Sequence, residues 1–211
     1  AQFTLIYTMC VLYLAPLLAL LSVGTAAPAP EDCGHLVKLL APEDQHTIFG
    51  KWIFIEGFSD HELFNAILRK TNSTWIEIFP TSHNETVLLN QGNLIDGKCL
   101  NSSVNMSFSK NSLQITQNNV TSTGHFLQTC PDCLIMHFSS TMAGVHVRSL
   151  YIFGKTRTLP ESELKPFRKQ AECLQYPQPA QYSYDGVTEF CAEKKESLHD
   201  VESQDEKDGS Q

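Results

Sequence analysis

The sequence predicts an all-β fold, a sandwich or a closed barrel built from eight short strands, with one C-terminal helix laid against its outside. Three observations lead there. Between Trp52 and Phe153, runs of β-forming residues recur at a spacing of about ten residues, punctuated by Asn, Gly, Ser and Pro. Within several of these runs apolar and polar residues alternate, as a half-buried strand requires. A single helical stripe follows the last run.

The strands fall near residues 51–58, 74–80, 86–91, 99–108, 112–117, 121–128, 133–139 and 146–153. In the fourth, Val104, Met106 and Phe108 share one face while Asn101, Ser103 and Asn105 share the other. The same parity turns Leu134, Met136 and Phe138 inward, and Tyr151 and Phe153 inward from the eighth strand. That strand also carries Leu150 and Ile152 on its other face, so its outside must be covered. Leu164, Phe167, Ala171 and Leu174 fall on one helical stripe that can cover it. Pro166 cannot donate a backbone hydrogen bond, so the helix is expected to start near Lys165 or to kink there.

The ends set the compartment. From Leu5 to Val23 the chain carries no charge and is almost wholly apolar, followed at once by Gly24, Thr25, Ala26 and Ala27. Pro16 interrupts any long helix, and the small residues suit signal peptidase, so residues 1–27 are expected to be a cleaved signal peptide rather than a retained membrane anchor. With no initial Met and no basic residue ahead of this run, the extreme start is expected to be missing. Residues 28–191 then form one domain, large enough for one core, and 192–211 read as a disordered acidic tail because they hold almost nothing apolar. The net charge is −8 and the basic residues are scattered, which excludes a phosphate-tracking surface and with it nucleic acid. The expected product is secreted, in extracellular fluid or plasma, monomeric and not inserted in a membrane.

Cysteines and sequons agree with that compartment. Of seven cysteines, Cys10 lies in the leader, leaving Cys33, Cys99, Cys130, Cys133, Cys173 and Cys191. An even number in a secreted chain implies three disulfides, whose connectivity spacing alone does not fix. Cys130 and Cys133 have the spacing of a redox pair, but Pro131 and Asp132 between them form a turn, not a helix start, so they are read as a structural staple. No metal is expected, since no second Cys/His pair stands at a ligand spacing. Asn72, Asn84, Asn101, Asn105 and Asn119 are N-glycosylation sequons.

Gly50, Lys51 and Trp52 open the first strand and are followed by apolar residues through Phe58. This resembles the GxW signature of lipocalins, placed at the head of an eight-strand pattern with one helix after it. Phe64 and Asn65, Pro80, Cys99, His125 with Phe126, and Cys173 with Leu174 extend the likeness to the alpha-1-acid glycoprotein branch. It also resembles the fish toxin-binding lipocalins of the tributyltin, saxitoxin and tetrodotoxin type. The resemblance covers roughly Cys33 to Cys191. It implies an eight-stranded antiparallel up-and-down lipocalin barrel, with Cys33 paired to Cys173 and Cys99 to Cys191. Cys130 and Cys133 are then left for a local bridge, which departs from the plain alpha-1-acid glycoprotein pattern.

A barrel of eight strands leaves room for one small guest. The inward candidates are Phe54, Phe64, Ile76, Ile78, Leu89, Val104, Met106, Ile115, Leu127, Met136, Phe138 and Phe153. Gln91, Gln117, His125 and Tyr151 form a polar minority that would orient the guest, because an unpaired buried amide costs about 1–3 kcal/mol. Trp52 is assigned to the barrel floor. Catalytic patterns fail: Gly57 to His61 begins like a nucleophile elbow but ends in His where Gly is needed, and Asn65 stands where a zinc-protease helix needs its second His. An isomerase using a free barrel thiol is excluded if all six cysteines pair. The expectation is therefore a non-enzymatic, cofactor-free carrier or scavenger of a small lipophilic or amphiphilic molecule, such as a steroid, a drug-like amine or a toxin. The alternative is a secreted glycoprotein acting through protein partners in immune or acute-phase modulation.

Overall fold

A computed structural model describes residues 30–193 except 84, 110–111, 118–119 and 143. The expected leader lies outside the described residues, as does the expected tail beyond Glu193. After a short helix α1 (Pro30–Leu36) and a 3-10 turn (Pro42–Ile48), the chain runs β1 (Gly50–Ser59), α2 (Glu62–Lys70), β2 (Thr71–Pro80), β3 (Thr86–Ile95) and β4 (Lys98–Ser109). It continues through β5 (Ser112–Gln117), β6 (Val120–Leu127), β7 (Cys133–Met142), β8 (Val145–Gly154), α3 (Glu161–Cys173) and β9 (Tyr182–Ser183). Each strand from β2 to β8 pairs antiparallel with the next, β8 pairs with β1, and β1 pairs with β2. The sheet is a closed eight-stranded up-and-down barrel, with β9 added along β1.

A bulge in β1 accounts for its uninterrupted apolar run. Phe54 lies opposite Phe153 and Glu56 opposite Ile152, so Ile55 is the extra residue and the strand changes phase across it. Phe54 and Gly57 face the interior. Glu56 and Phe58 face outward with Ile152 and Leu150, under α3. Phe58, Leu150, Ile152 and Phe167 are all buried to within 1% exposure, and the Phe58 and Phe167 rings lie 5.6 Å apart. Full burial of side chains of this size contributes about 1.5–3 kcal/mol each. Glu56 is buried beside them and accepts hydrogen bonds from Arg168 at 2.8–3.2 Å, which also bonds Glu161. The Glu56 hydrogen bond, with the charges of both carboxylates, raises the Arg168 guanidinium against the opposing effect of burial.

Helix α3 starts at Glu161, earlier than the position of Pro166 suggests, and Pro166 lies inside it. Leu164 N already donates to the Pro160 carbonyl, so Pro166 lies past the early N–H groups that lack an acceptor and removes one intrahelical bond, the one to Ser162, without ending the helix. Leu164, Phe167 and Ala171 turn toward the barrel, with Leu174 as the C-cap. Gln170 donates to the Leu36 carbonyl at 2.7 Å and the Gln128 carbonyl at 3.3 Å, tying α3 to α1 and to the end of β6. Disulfides join Cys33 to Cys173, Cys99 to Cys191 and Cys130 to Cys133.

One end of the barrel is closed. Trp52, 1% exposed, donates its indole N–H to the Ile48 carbonyl at 2.7 Å, and the Lys155 ammonium stands 3.4 Å from its ring centre. Burial there pulls the Lys155 pKa down despite the nearby Asp132 charge. Ile78 and Met106, both fully buried, pack inward in this floor.

Candidate ligand-binding site

Above the floor lies a cavity of about 420 Å³, bounded at its mouth by α2. Its walls are built by alternation. Ile76 projects from β2, Leu89 and Gln91 from β3, Val104 from β4, Ile115 from β5, Met136 and Phe138 from β7, and Tyr151 and Phe153 from β8. Phe54 enters from β1 and Phe64 from α2. Phe54 holds the aromatic side together: its ring centre is 4.7 Å from Tyr151, 5.2 Å from Phe153 and 4.3 Å from Tyr182. Phe138 meets Tyr151 edge to face at 5.0 Å. Gly57 makes this possible, since a Cβ there would stand 2.4 Å from the tip of Phe54.

The polar groups gather toward the mouth as cross-strand pairs. Thr74 Oγ1 donates to Asn93 Oδ1 at 2.9 Å, Gln91 Nε2 donates to Ser102 Oγ at 2.9 Å, and the hydroxyls of Ser122 and Ser140 lie 2.5 Å apart. Burial pushes the Tyr151 phenol up to about 12, against a hydrogen bond with Ser149, so it is a neutral group at ordinary pH.

Sequence parity brings eleven of the named residues to this cavity, but not all. Ile78 and Met106 point inward below it, in the packed floor. Gln117 pairs with Val120 at the end of the β5–β6 hairpin; its side chain lies outside the described residues. His125 and Leu127 point outward, a correction to the expected phase of β6. They pair with His137 and Ile135, whereas Gly124 and Phe126 pair with the inward residues Phe138 and Met136. The physical reason is local. The chain at Lys38–Leu40 pairs along the edge of this end of β6, Leu39 opposite Leu127, with Leu40 N donating to the Phe126 carbonyl and Gln128 N to the Lys38 carbonyl, both at 2.8 Å. Phe126 and Leu127 are both buried although they face opposite sides, so alternation is silent there. Gly124 is inward without a side chain to signal it; a Cβ would meet the His137 carbonyl at 2.6 Å.

The cavity also has lining residues that the alternation did not reach. Asn93 and Ile95 continue the Leu89 and Gln91 parity past the expected end of β3, and Thr74 and Leu113 extend that of Ile76 and Ile115. Ile67, Leu68 and Thr71 come from α2 and its C-cap, an element whose signal was the Phe64, Ile67 and Leu68 spacing behind the helix-starting His61. Ser122 follows from the corrected phase of β6.

Among the described residues, Cys130, Cys133 and Glu163 place potential metal-ligand atoms within 4.8 Å of one another. The two sulfurs are bonded to each other, which removes the thiolates a soft metal needs. No described helix is long and apolar enough to cross a membrane.

A barrel of eight antiparallel strands, closed at a GxW tryptophan and opening on an apolar cavity, has solved counterparts. The siderocalin Ex-FABP superposes with a TM-score of 0.59 at 13% identity, covering 70% of this chain and 96% of its own. An odorant-binding protein gives 0.54 at 16%, covering 66% and 89%, and a dog lipocalin allergen 0.53 at 18%, covering 62% and 89%. The fold is that of a lipocalin. By sequence, the chain is similar to two Takifugu pardalis proteins, saxitoxin and tetrodotoxin-binding proteins 1 and 2. They are 28% and 30% identical over 198 residues, covering 84% of this chain. The chain spans about half, 49%, of the length of those relatives. No protein-family model matches it.

Proposed function

We propose that the protein is a secreted carrier or scavenger that holds one small lipophilic or amphiphilic molecule inside the barrel. One observation carries this reading: an apolar cavity of about 420 Å³, walled by side chains from all eight barrel strands and α2, with its few polar groups at the mouth. Among the described residues the wall offers apolar side chains with a few amides and hydroxyls, and the six cysteines of the described domain are bridged, which supports binding as its role. The relatives, named for binding saxitoxin and tetrodotoxin, and the siderocalin and odorant-binding neighbours support small-molecule binding; a toxin is one guest to be tried. Secretion is supported by the apolar leader, the disulfides and the sequons.

The neutral probe N-phenylnaphthylamine tests the reading. Titrated into the disulfide-intact protein, it should show saturable fluorescence enhancement with a dissociation constant near micromolar, about 8 kcal/mol. Val104→Trp, which fills the cavity from β4, should weaken it at least tenfold with the circular dichroism unchanged. Absence of saturable binding up to about millimolar, about 4 kcal/mol, would replace the carrier with the protein-partner reading.

A further inference from the structure

We infer that the cavity admits its guest in uncharged form only, selecting an apolar body that carries a neutral hydroxyl, carbonyl or amide group turned toward the mouth. This deepens the carrier reading and rests on it. Among the described residues, none of the side chains lining the cavity is an Asp, Glu, Lys, Arg or His. An ion inside would exchange its hydration for an apolar wall with no counter-charge, the costliest transfer in protein chemistry.

Charged groups on the neighbouring elements are already paired, Asp60 with Arg148 at 2.7 Å among them. On α2, Glu62 is paired with Arg69, and Lys70 bonds Asp96 of the β3–β4 turn at 3.3 Å. These pairs sit exposed at the rim and neutralise each other there. Glu56 and Arg168 are paired on the outer face under α3. The Tyr151 phenol, the most acidic type of group in the wall, is held neutral by burial.

The polar collar, by contrast, suits a neutral group. Thr74 uses its hydroxyl proton on Asn93 Oδ1, which leaves the Asn93 amide with two N–H donors. Gln91 spends one N–H on Ser102 and keeps its carbonyl as an acceptor. Donors and acceptors thus stand side by side on β3, two residues apart and therefore on one face. A hydroxyl, which both gives and takes, can use both members of such a pair, whereas a carboxylate only accepts and an ammonium only donates, and neither finds a counter-charge.

Decanol, decanoate and decylammonium test this by displacement of N-phenylnaphthylamine from the full disulfide-intact protein at pH 7.5, each below its micelle concentration. Decanol should bind at least thirtyfold more tightly than either ion. Asn93→Asp preserves the acceptor for Thr74 while adding a charge, and Gln91→Glu adds one beside it. In whichever of these variants folds, the ratio of decylammonium to decanol affinity should rise at least tenfold. Either ion binding as tightly as decanol, or an unchanged ratio in both variants, overturns the inference and leaves the carrier standing. Failure of decanol to displace a bound probe also overturns it. Failure of the probe itself to bind removes the carrier reading and the inference together.

Discussion

The ring of Tyr182 lies flat against that of Phe54, centres 4.3 Å apart and planes within 11°. Strand β9 holds it there, Tyr182 pairing with Gly57 and Ser183 with Glu56 on the stretch of β1 that β2 does not pair. The C-terminal segment thus completes the wall that the strand pattern alone leaves short.

The Tyr182 hydroxyl is buried with no hydrogen-bond partner among the described residues. Tyr182→Phe should therefore stabilise the fold by about 1 kcal/mol, since it removes an unpaired polar group. Tyr182→Ala should destabilise it by about 3–5 kcal/mol, as losing a core aromatic does. Urea unfolding of both variants checks the opposite signs.

His137 gives a pH dependence. Burial lowers its pKa, and the charges of Arg148 and His125 lower it further against the pull of Asp60. The unfolded chain then binds the proton more readily than the folded one, and stability falls as pH drops below about 6.5. Thermal unfolding between pH 7.5 and pH 5 should show this slope, and His137→Gln should flatten it. A slope unchanged in the variant would assign the effect elsewhere. Asp60 acts lower. Burial alone would raise its carboxyl, but hydrogen bonds from the Arg148 backbone and guanidinium outweigh that and hold it below the usual value of 3.8, so its contribution is lost only at more acid pH.

The sequons divide by accessibility. Asn105 is exposed on β4, beside the fully buried Met106, and Asn72 is exposed with its carbonyl oxygen accepting from Gly97 N at 3.1 Å. Asn101 donates its amide to the Ala192 carbonyl at 3.1 Å, and its oxygen is buried. A glycan there would displace the segment that Cys191 anchors. Glycopeptide mapping should find Asn72 and Asn105 occupied and Asn101 largely bare; Asn84 and Asn119 lie outside the described residues.

The bridges should differ in worth by the loops they close. Cys99–Cys191 spans 92 residues and Cys130–Cys133 spans 3. In the chain-entropy picture, replacing the first pair by serines costs about 4–5 kcal/mol and the second about 1.5 kcal/mol. Denaturant midpoints of the two double variants measure the gap.

The sequence by itself determined the strands and most of the wall, because wherever one face of a strand is solvated the period of two fixes the side of every residue; their order around the barrel was implied by the lipocalin resemblance. Val104 and Met106 were legible from that period, whereas Tyr151 and Phe153 stand on a strand whose other face, Leu150 and Ile152, is buried too. Only the tertiary structure decided what happens where both faces are covered. At β6 both Phe126 and Leu127 are buried, so only the pairing with β7 shows that His125 faces away from the cavity and Ser122 into it. At β1 the bulge at Ile55 reverses the faces, bringing Gly57 inward. Likewise α2 becomes the mouth only through its packing on the barrel, and Tyr182 becomes part of the Phe54 wall only because a disulfide-anchored tail returns to β1. Period and propensity are local, whereas the cover on a strand's second face comes from residues far away in the chain.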